Sequence, residues 1–185
     1  NPTTFHLPDL RGRTPIGDGQ GPGLSNRVIG ESGGGSTVLA EANLPAHSHG
    51  TPGGNIPEAG SGAPAANLPP YLVLRPWIST SNEMSPLTGA VRWYAGSIRF
   101  PGQRCDGSAL DTGSREVLFS RIGYAFGGSD ASFLVPDLRG RMVIGCGEGE
   151  GLGPRVFGEK GGSETFTLGL ADLPAVSAVA ALEVV

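Results

Sequence analysis

The chain has 185 residues, 32 of them Gly and 16 Pro, with 38% apolar residues, 16% charged residues and a formal net charge of −4. Disordered chains show the reverse balance of apolar and charged residues, so the composition argues for a folded, loop-rich protein of one ordinary or two small domains. The weakly acidic charge, with no Lys/Arg cluster, leaves no nucleic-acid footprint, and no apolar run reaches the length of a membrane span.

In chain order, the first feature is "FHLPDLRGRTPIGDGQGPGLSNRVIGESGG", residues 5–34, a "PDLRGR" motif running into a Gly-rich loop. Such a loop can suggest a phosphate cradle, but it follows no clear strand, opens no helix and carries no Lys-Ser/Thr. Next comes "LPAHSHG", residues 44–50, with His47 and His49 two apart in a chain of three histidines. "YLVLRPWI" (71–78), "AVRWYA" (90–95) and "SIRF" (97–100) are rich in β-branched and aromatic residues and predict short strands. "SREVLFSRIGYAFGG" (114–128) predicts the one helix. Ser114 is placed to cap it, Val117, Leu118, Ile122 and Phe126 form a partial apolar stripe, and Gly127 is placed to end it. "AALEVV" (180–185) predicts a last short strand.

Between the helix and that end lies "FLVPDLRGRMVIGCGEGEGLGPRVFGEKGG", residues 133–162, which matches residues 5–34 without a gap at 19 of 30 positions. Glycines that recur at matched places are set there by backbone geometry, through positive φ or close chain approach. With one extra residue in the second copy, "NLPAHSHG" meets "DLPAVSAV", so His47 aligns with Val176 and His49 with Ala178. The copies are incomplete in different ways. Residues 1–80 read as the back part of one module, 81–88 as a join, and 89–185 as the front and middle of another. A chain cut from a longer fibre protein accounts for this. So does an assembly in which a neighbour lends a strand to an open sheet edge, with "AALEVV" as donor or acceptor.

"PDLRGR", the Gly-rich loop, the "GExGG" turn, "LPAHSHG", "PYLVLRPWI" and the front piece "GAVRWYAGS…PGQRCDGSAL…LFSRIGYAFGG" together resemble the phage tail collar domain, in two offset copies. The resemblance implies a mainly β fold with one helix and long ordered Gly-rich loops (α+β), intertwined or sharing strands between subunits. It implies a structural and adhesive subunit of a tail fibre or tail collar on a virion or outside the cell, forming a homo-oligomer and binding a cell-surface glycan. The alternative carried with it is a bacterial extracellular filament assembled head to tail from collar modules. A polysaccharide-acting enzyme is the remaining reading, and the expectation is that the chain is not an enzyme. In short tail fibres, similar domains form trimers in which an HxH strand from each chain holds a metal on the axis. That implies iron or zinc at His47 and His49 when three chains meet.

The residues themselves bound that expectation. On a strand, positions i and i+2 share a face about 7 Å apart. Two imidazoles cannot saturate zinc's four sites or an octahedral ion's six. His6 precedes "LPDLRGR", and its place relative to the pair is open. No nucleophile elbow and no telling acid spacing accompany the pair, which argues against catalysis. Asp9 and Asp137 are the repeated acids, each beside two arginines: Arg11 and Arg13, and Arg139 and Arg141. The expected role for these six is an ion-pair and hydrogen-bond knot that pins a loop. Trp77, Trp93, Tyr71 and Tyr94 fall in or beside predicted strands, as core, interface or sugar-facing residues. Cys105 and Cys146 make neither a disulfide framework nor a metal box and are expected to be buried free thiols.

Overall fold

The computed structural model describes residues 6–48, 50–51, 54–55, 59–80, 86–96 and 102–173. Twelve short strands and one α-helix are present among them: β1 (Thr14–Gly17), β2 (Ser32–Gly33), β3 (Gly50–Thr51), β4 (Gly54–Asn55), β5 (Ala65–Ala66), β6 (Tyr71–Ser79), β7 (Val91–Tyr94), β8 (Gly102–Arg104), β9 (Ala109–Asp111), α1 (Glu116–Ile122), β10 (Gly128–Ser129), β11 (Ser132–Leu134) and β12 (Thr165–Phe166). Among the described residues the fold is mainly β with a single helix, as expected from the sequence. The predicted strands at "SIRF" and "AALEVV" lie outside the described residues.

The chain divides into two compact units, Asn1–Gly35 with Leu68–Ser163, and Ser36–Asn67 with Glu164–Val185. In the first unit β6 is the spine of a five-stranded sheet. Its first half pairs in parallel with β1, Tyr71 opposite Thr14 through Leu74 opposite Gly17, and antiparallel with β2. Its second half lies between β7 and β8, with Trp77 opposite both Arg92 and Arg104. A strand flanked on both edges and buried on both faces needs consecutive apolar residues, and "YLVL" supplies four, all buried. Pro76 donates to no ladder, and it sits where the flanking strands change over, with its carbonyl accepting the Cys105 N–H at 3.1 Å.

A second sheet of three strands, in the order β10-β11-β9, packs with α1 around Phe133. Its core contains Ile78, Cys105, Leu118, Ile122, Phe133 and Val135, with Leu110, Phe119, Phe126 and Leu138 against it. Each of the large side chains contributes about 1.5–3 kcal/mol by leaving water. A separate small core joins Ile16, Tyr71 and Val73, flanked by Leu68.

The helix is shorter than predicted. It starts at Glu116 with Arg115 as its N-cap, and no side chain caps it. Ser114 does not take that role, because an Asx-type turn competes for it: its N–H donates to Asp111 Oδ1 at 2.7 Å. Gly123, at φ +51, ends the helix, and Gly127 instead closes the following turn, its N–H donating to the Tyr124 carbonyl. Of the predicted stripe, Leu118 and Ile122 are buried, while Phe119 enters the core beside Phe133 with ring centroids 5.3 Å apart.

In the second unit β5 pairs antiparallel with β12, and β3 with β4. A 3-10 turn at Glu41–Asn43 is closed by the Asn43 side chain, which accepts the Ala40 N–H at 2.9 Å and donates to the Ala63 carbonyl at 3.0 Å. Asp172, at the aligned position of the second repeat, closes the turn Leu170–Asp172 through the Gly169 N–H at 2.8 Å.

Candidate functional site

The "PDLRGR" of residues 136–141 lies against the turn at 105–107. The Leu138 N–H donates to the Cys105 carbonyl at 2.8 Å and the Gly107 N–H to the Pro136 carbonyl at 3.3 Å. Gly107 has φ +77, and a Cβ there would come within 3.1 Å of Asp137 Cβ, so the turn needs glycine on both counts. Arg139 grips Asp137 with Nε on Oδ1 at 2.8 Å and Nη2 on Oδ2 at 2.9 Å. Burial alone would raise the Asp137 carboxyl, but the Arg139 side-chain and backbone hydrogen bonds outweigh it and hold the group below its usual range. Such a carboxylate has both oxygens engaged and carries no proton at neutral pH, so it is poorly suited to general acid chemistry.

Asp9 and Arg11 make the same two-pronged grip, at 2.8 and 2.8 Å, on the exposed surface. The Arg11 hydrogen bonds lower the Asp9 carboxyl. Arg13 is exposed, and the Arg141 Nε is buried with no protein acceptor. The two motifs therefore share a local geometry and differ in surroundings.

The buried "PDLRGR" also meets the strand that follows the exposed one. Gly17 bridges Arg139 in parallel, Gly140 donates to the Gly17 carbonyl at 2.8 Å, and Gly17 donates to the Arg141 carbonyl at 3.3 Å. A Cβ on Gly17 would overlap the Leu138 carbonyl, so the approach needs glycine.

One charge cluster was invisible to motif reading. Asp18 is buried, and its Oδ2 accepts Arg75 Nε at 2.8 Å and Arg104 Nη2 at 3.1 Å, while its Oδ1 accepts from no protein group. The signal available was the difference between copies, since Asp18 aligns with Cys146. A second cluster centres on Tyr71, one of the four singled-out aromatics. Its hydroxyl accepts Arg27 Nη1 at 2.6 Å and donates to Glu31 Oε1 at 2.9 Å, and the Arg27 guanidinium lies 4.9 Å from the ring centroid. Glu31 is held below its usual range, first by the Val28 N–H and then by Arg27 and Tyr71. Tyr71 is thus core and anchor together. Trp77, Trp93 and Tyr94 are half-buried.

His47 bridges Ala59, and its Nδ1 lies 2.9 Å from the Pro45 carbonyl. That contact selects the tautomer with the proton on Nδ1 and the lone pair on Nε2. His49 lies outside the described residues, and His6 is exposed. No group of three metal-ligating side chains occurs among the described residues. The cysteines are both free, but only Cys105 is buried, and burial followed by the Asp106 charge pushes its thiol up to about 12. Cys146 is exposed, since among the described residues no strand covers the loop that carries it, which corrects the expectation of two buried thiols.

Among the described residues no helix is long and apolar enough to cross a membrane. Neither a curated protein nor a solved structure matches the chain. Residues 89–143 match the family model of the Phage Tail Collar Domain. That segment spans β7 to the buried "PDLRGR" and supplies most of the Phe133 core, and over it the chain is similar to the phage tail collar domain family.

Proposed function

We propose that the chain is a structural, non-catalytic subunit of a phage tail fibre or tail collar, carried on the virion and working as a homo-oligomer. The observation that carries this reading is the collar match over the residues that build the Phe133 core. The acids support it: Asp9 and Asp137 are each gripped by an arginine, as in a knot that pins a loop. Arg11, Arg13, Arg139 and Arg141 complete that set. The exposed apolar side chains between 142 and 170, among them Ile144, Leu152, Val156 and Leu170, support assembly, since apolar surface of this kind marks contact faces.

The receptor in this proposal is a cell-surface glycan, for which the half-buried Trp77, Trp93 and Tyr94 offer aromatic surface. Three copies meeting at an axis would bring His47 and His49 together as six imidazoles able to hold a divalent iron or zinc ion. The His47 tautomer suits a ligand, because Nδ1 is engaged and the lone pair sits on Nε2.

Native mass spectrometry with elemental analysis tests the assembly. A trimer is expected, with one metal per three chains that His47→Ala removes. A strictly monomeric protein would overturn the oligomeric reading. Shortening of a host polysaccharide on incubation would overturn the non-catalytic one.

A further inference from the structure

The register of β6 sorts its side chains and those of its neighbours onto two faces. Opposed residues of a ladder, and alternate residues along a strand, project to the same side. Pro76 is opposed by Trp93 and Ile78 by Val91, on the side where Ile78 joins the Phe133 core. On the other side Trp77 is opposed by both Arg92 and Arg104, and Arg75 by Tyr94. Asp18 belongs to that second side. It follows β1, whose Gly17 pairs with Leu74, and its carboxylate reaches Arg75 and Arg104. Three strands thus bring three arginines and two aromatic rings, all half-buried, to one face.

The charges within this group do not balance. Arg75 Nη2 and Arg104 Nη2 stand 2.8 and 3.1 Å from the same Asp18 Oδ2, so one carboxylate answers two guanidiniums. The two acids nearby in the fold are otherwise engaged: Asp137 by Arg139, and Asp106 by the Ser108 N–H at 3.2 Å. The Asp18 side chain is 7% exposed and that of Arg104 is 38% exposed, against 20% for Arg75. Arg104 is therefore the cation left to meet solvent, in a chain whose net charge is −4.

The surroundings of that cation set the class of ligand. A guanidinium fork matches the planar carboxylate, and these arginines already hold one in Asp18. An acidic peptide would need the cations alone. A sugar ring also has apolar C–H faces, which lie well against aromatic rings such as Trp77 and Tyr94. We propose that Arg75, Trp77, Arg92, Tyr94 and Arg104 form a binding face for sugars that carry a carboxylate, the uronic and sialic acids. Arg104 meets the carboxylate, and Trp77 and Tyr94 meet the ring. Trp93 projects from the opposite side of the sheet and takes no part. The inference rests on reading the protein as a glycan-binding subunit, and it adds the chemical class of the glycan.

The test is isothermal titration of the full chain, Arg104→Gln and Arg104→Lys with oligogalacturonate and oligosialate. The methyl ester of the former, dextran sulfate and polyglutamate are the comparison probes, and near-UV circular dichroism checks the fold of both variants. Saturable binding of an acidic sugar is expected, abolished by methyl esterification and weakened at least about tenfold by Arg104→Gln, a loss of order 1.4 kcal/mol. Arg104→Lys keeps a charge for Asp18 without the fork and is expected to bind less tightly than the wild type. Should Arg104→Gln fail to fold, Arg104→Lys decides, and wild-type affinity in it overturns the fork. Unchanged binding in a folded Arg104→Gln overturns the site. Equal binding of the methyl ester overturns the acidic class and leaves the glycan reading standing. Equal binding of dextran sulfate overturns carboxylate recognition in favour of charge alone, and equal binding of polyglutamate gives the face to an acidic polypeptide. Binding of neither acidic sugar overturns the proposal. Adsorption to an uncharged host polysaccharide would then keep the glycan reading, and its absence would remove that reading as well.

Discussion

Residues 14–34 and 142–162 share sequence, loop closure, an Arg–Glu pair and a Glu cap, yet the first buries Ile16 and Asp18 while their counterparts Ile144 and Cys146 in the second are exposed. The glycines match as well: Gly19 and Gly147 lie at φ +99 and +108, and Gly30 and Gly158 both at +83. Local sequence thus decides the turns, because positive φ and short-range hydrogen bonds need no distant partner. Burial is decided by β6, which is distant in sequence from both loops and reaches only one. The comparison separates what a segment specifies alone from what it obtains through pairing.

Truncating the aligned isoleucines breaks the comparison most sharply. Ile16→Ala should cost about 2–5 kcal/mol, because a buried isoleucine leaves a cavity beside Val73. Ile144→Ala should stay within about 0.5 kcal/mol. Urea unfolding of the two variants measures both, and equal losses would mean that the second loop is covered in solution. Exchanging the next aligned pair gives a smaller effect. Asp18→Cys leaves Arg75 and Arg104 without their carboxylate and should cost about 1–3 kcal/mol, whereas Cys146→Asp should leave the midpoint where it is.

The same division explains how much of the molecule was legible beforehand. β6 and β7 could be read from their β-branched and aromatic residues; β6, a central strand, needs apolar residues on both faces, while β7 is an edge strand whose Trp93 and Tyr94 are half-buried beside it. The helix was legible, but its ends were not: Ser114 is drawn to Asp111, and Gly123 stops the helix a turn before Gly127. β1, β8, β9 and β11 were missed, because "TPIG", "GQR", "ALD" and "SFL" are too short to show a period and exist only through their partners. At the site, the carboxylate grips lie within "PDLRGR" and follow from adjacent charges. The Asp18 cluster joins residues 57 and 86 positions apart, so no local pattern contains it.

The two "PDLRGR" grips sharpen the comparison through pH. Asp137→Asn should cost about 1–3 kcal/mol at neutral pH, since the grip sits against the core, while Asp9→Asn should leave the unfolding midpoint unchanged. The Asp137 carboxyl is held below its ordinary value in the folded chain. Its stabilisation is therefore complete above the unfolded value of about 3.9 and is lost as pH falls through the lower folded value. The gap between wild type and Asp137→Asn should close below about pH 4, which urea midpoints across pH would show. A gap that persists in acid would assign the loss to packing instead.

The smallest effect isolates what the β6 cover adds to the polar pair that both loops keep. Tyr71→Phe keeps the ring in the core and removes only the hydroxyl between Arg27 and Glu31, so it should cost about 0.5–1.5 kcal/mol. Glu31 loses one of the donors that lower its carboxyl but keeps the larger one, the Val28 N–H. Its titration should therefore move only part of the way back toward the ordinary value. Glu159 has the corresponding Val156 and Arg155 donors and no tyrosine, so it is the internal reference for that end point. Carboxyl chemical shifts followed through acid titration would place both groups on one scale. A Glu31 that titrates no differently without the hydroxyl would show that Tyr71 holds β6 on the loop through its ring alone.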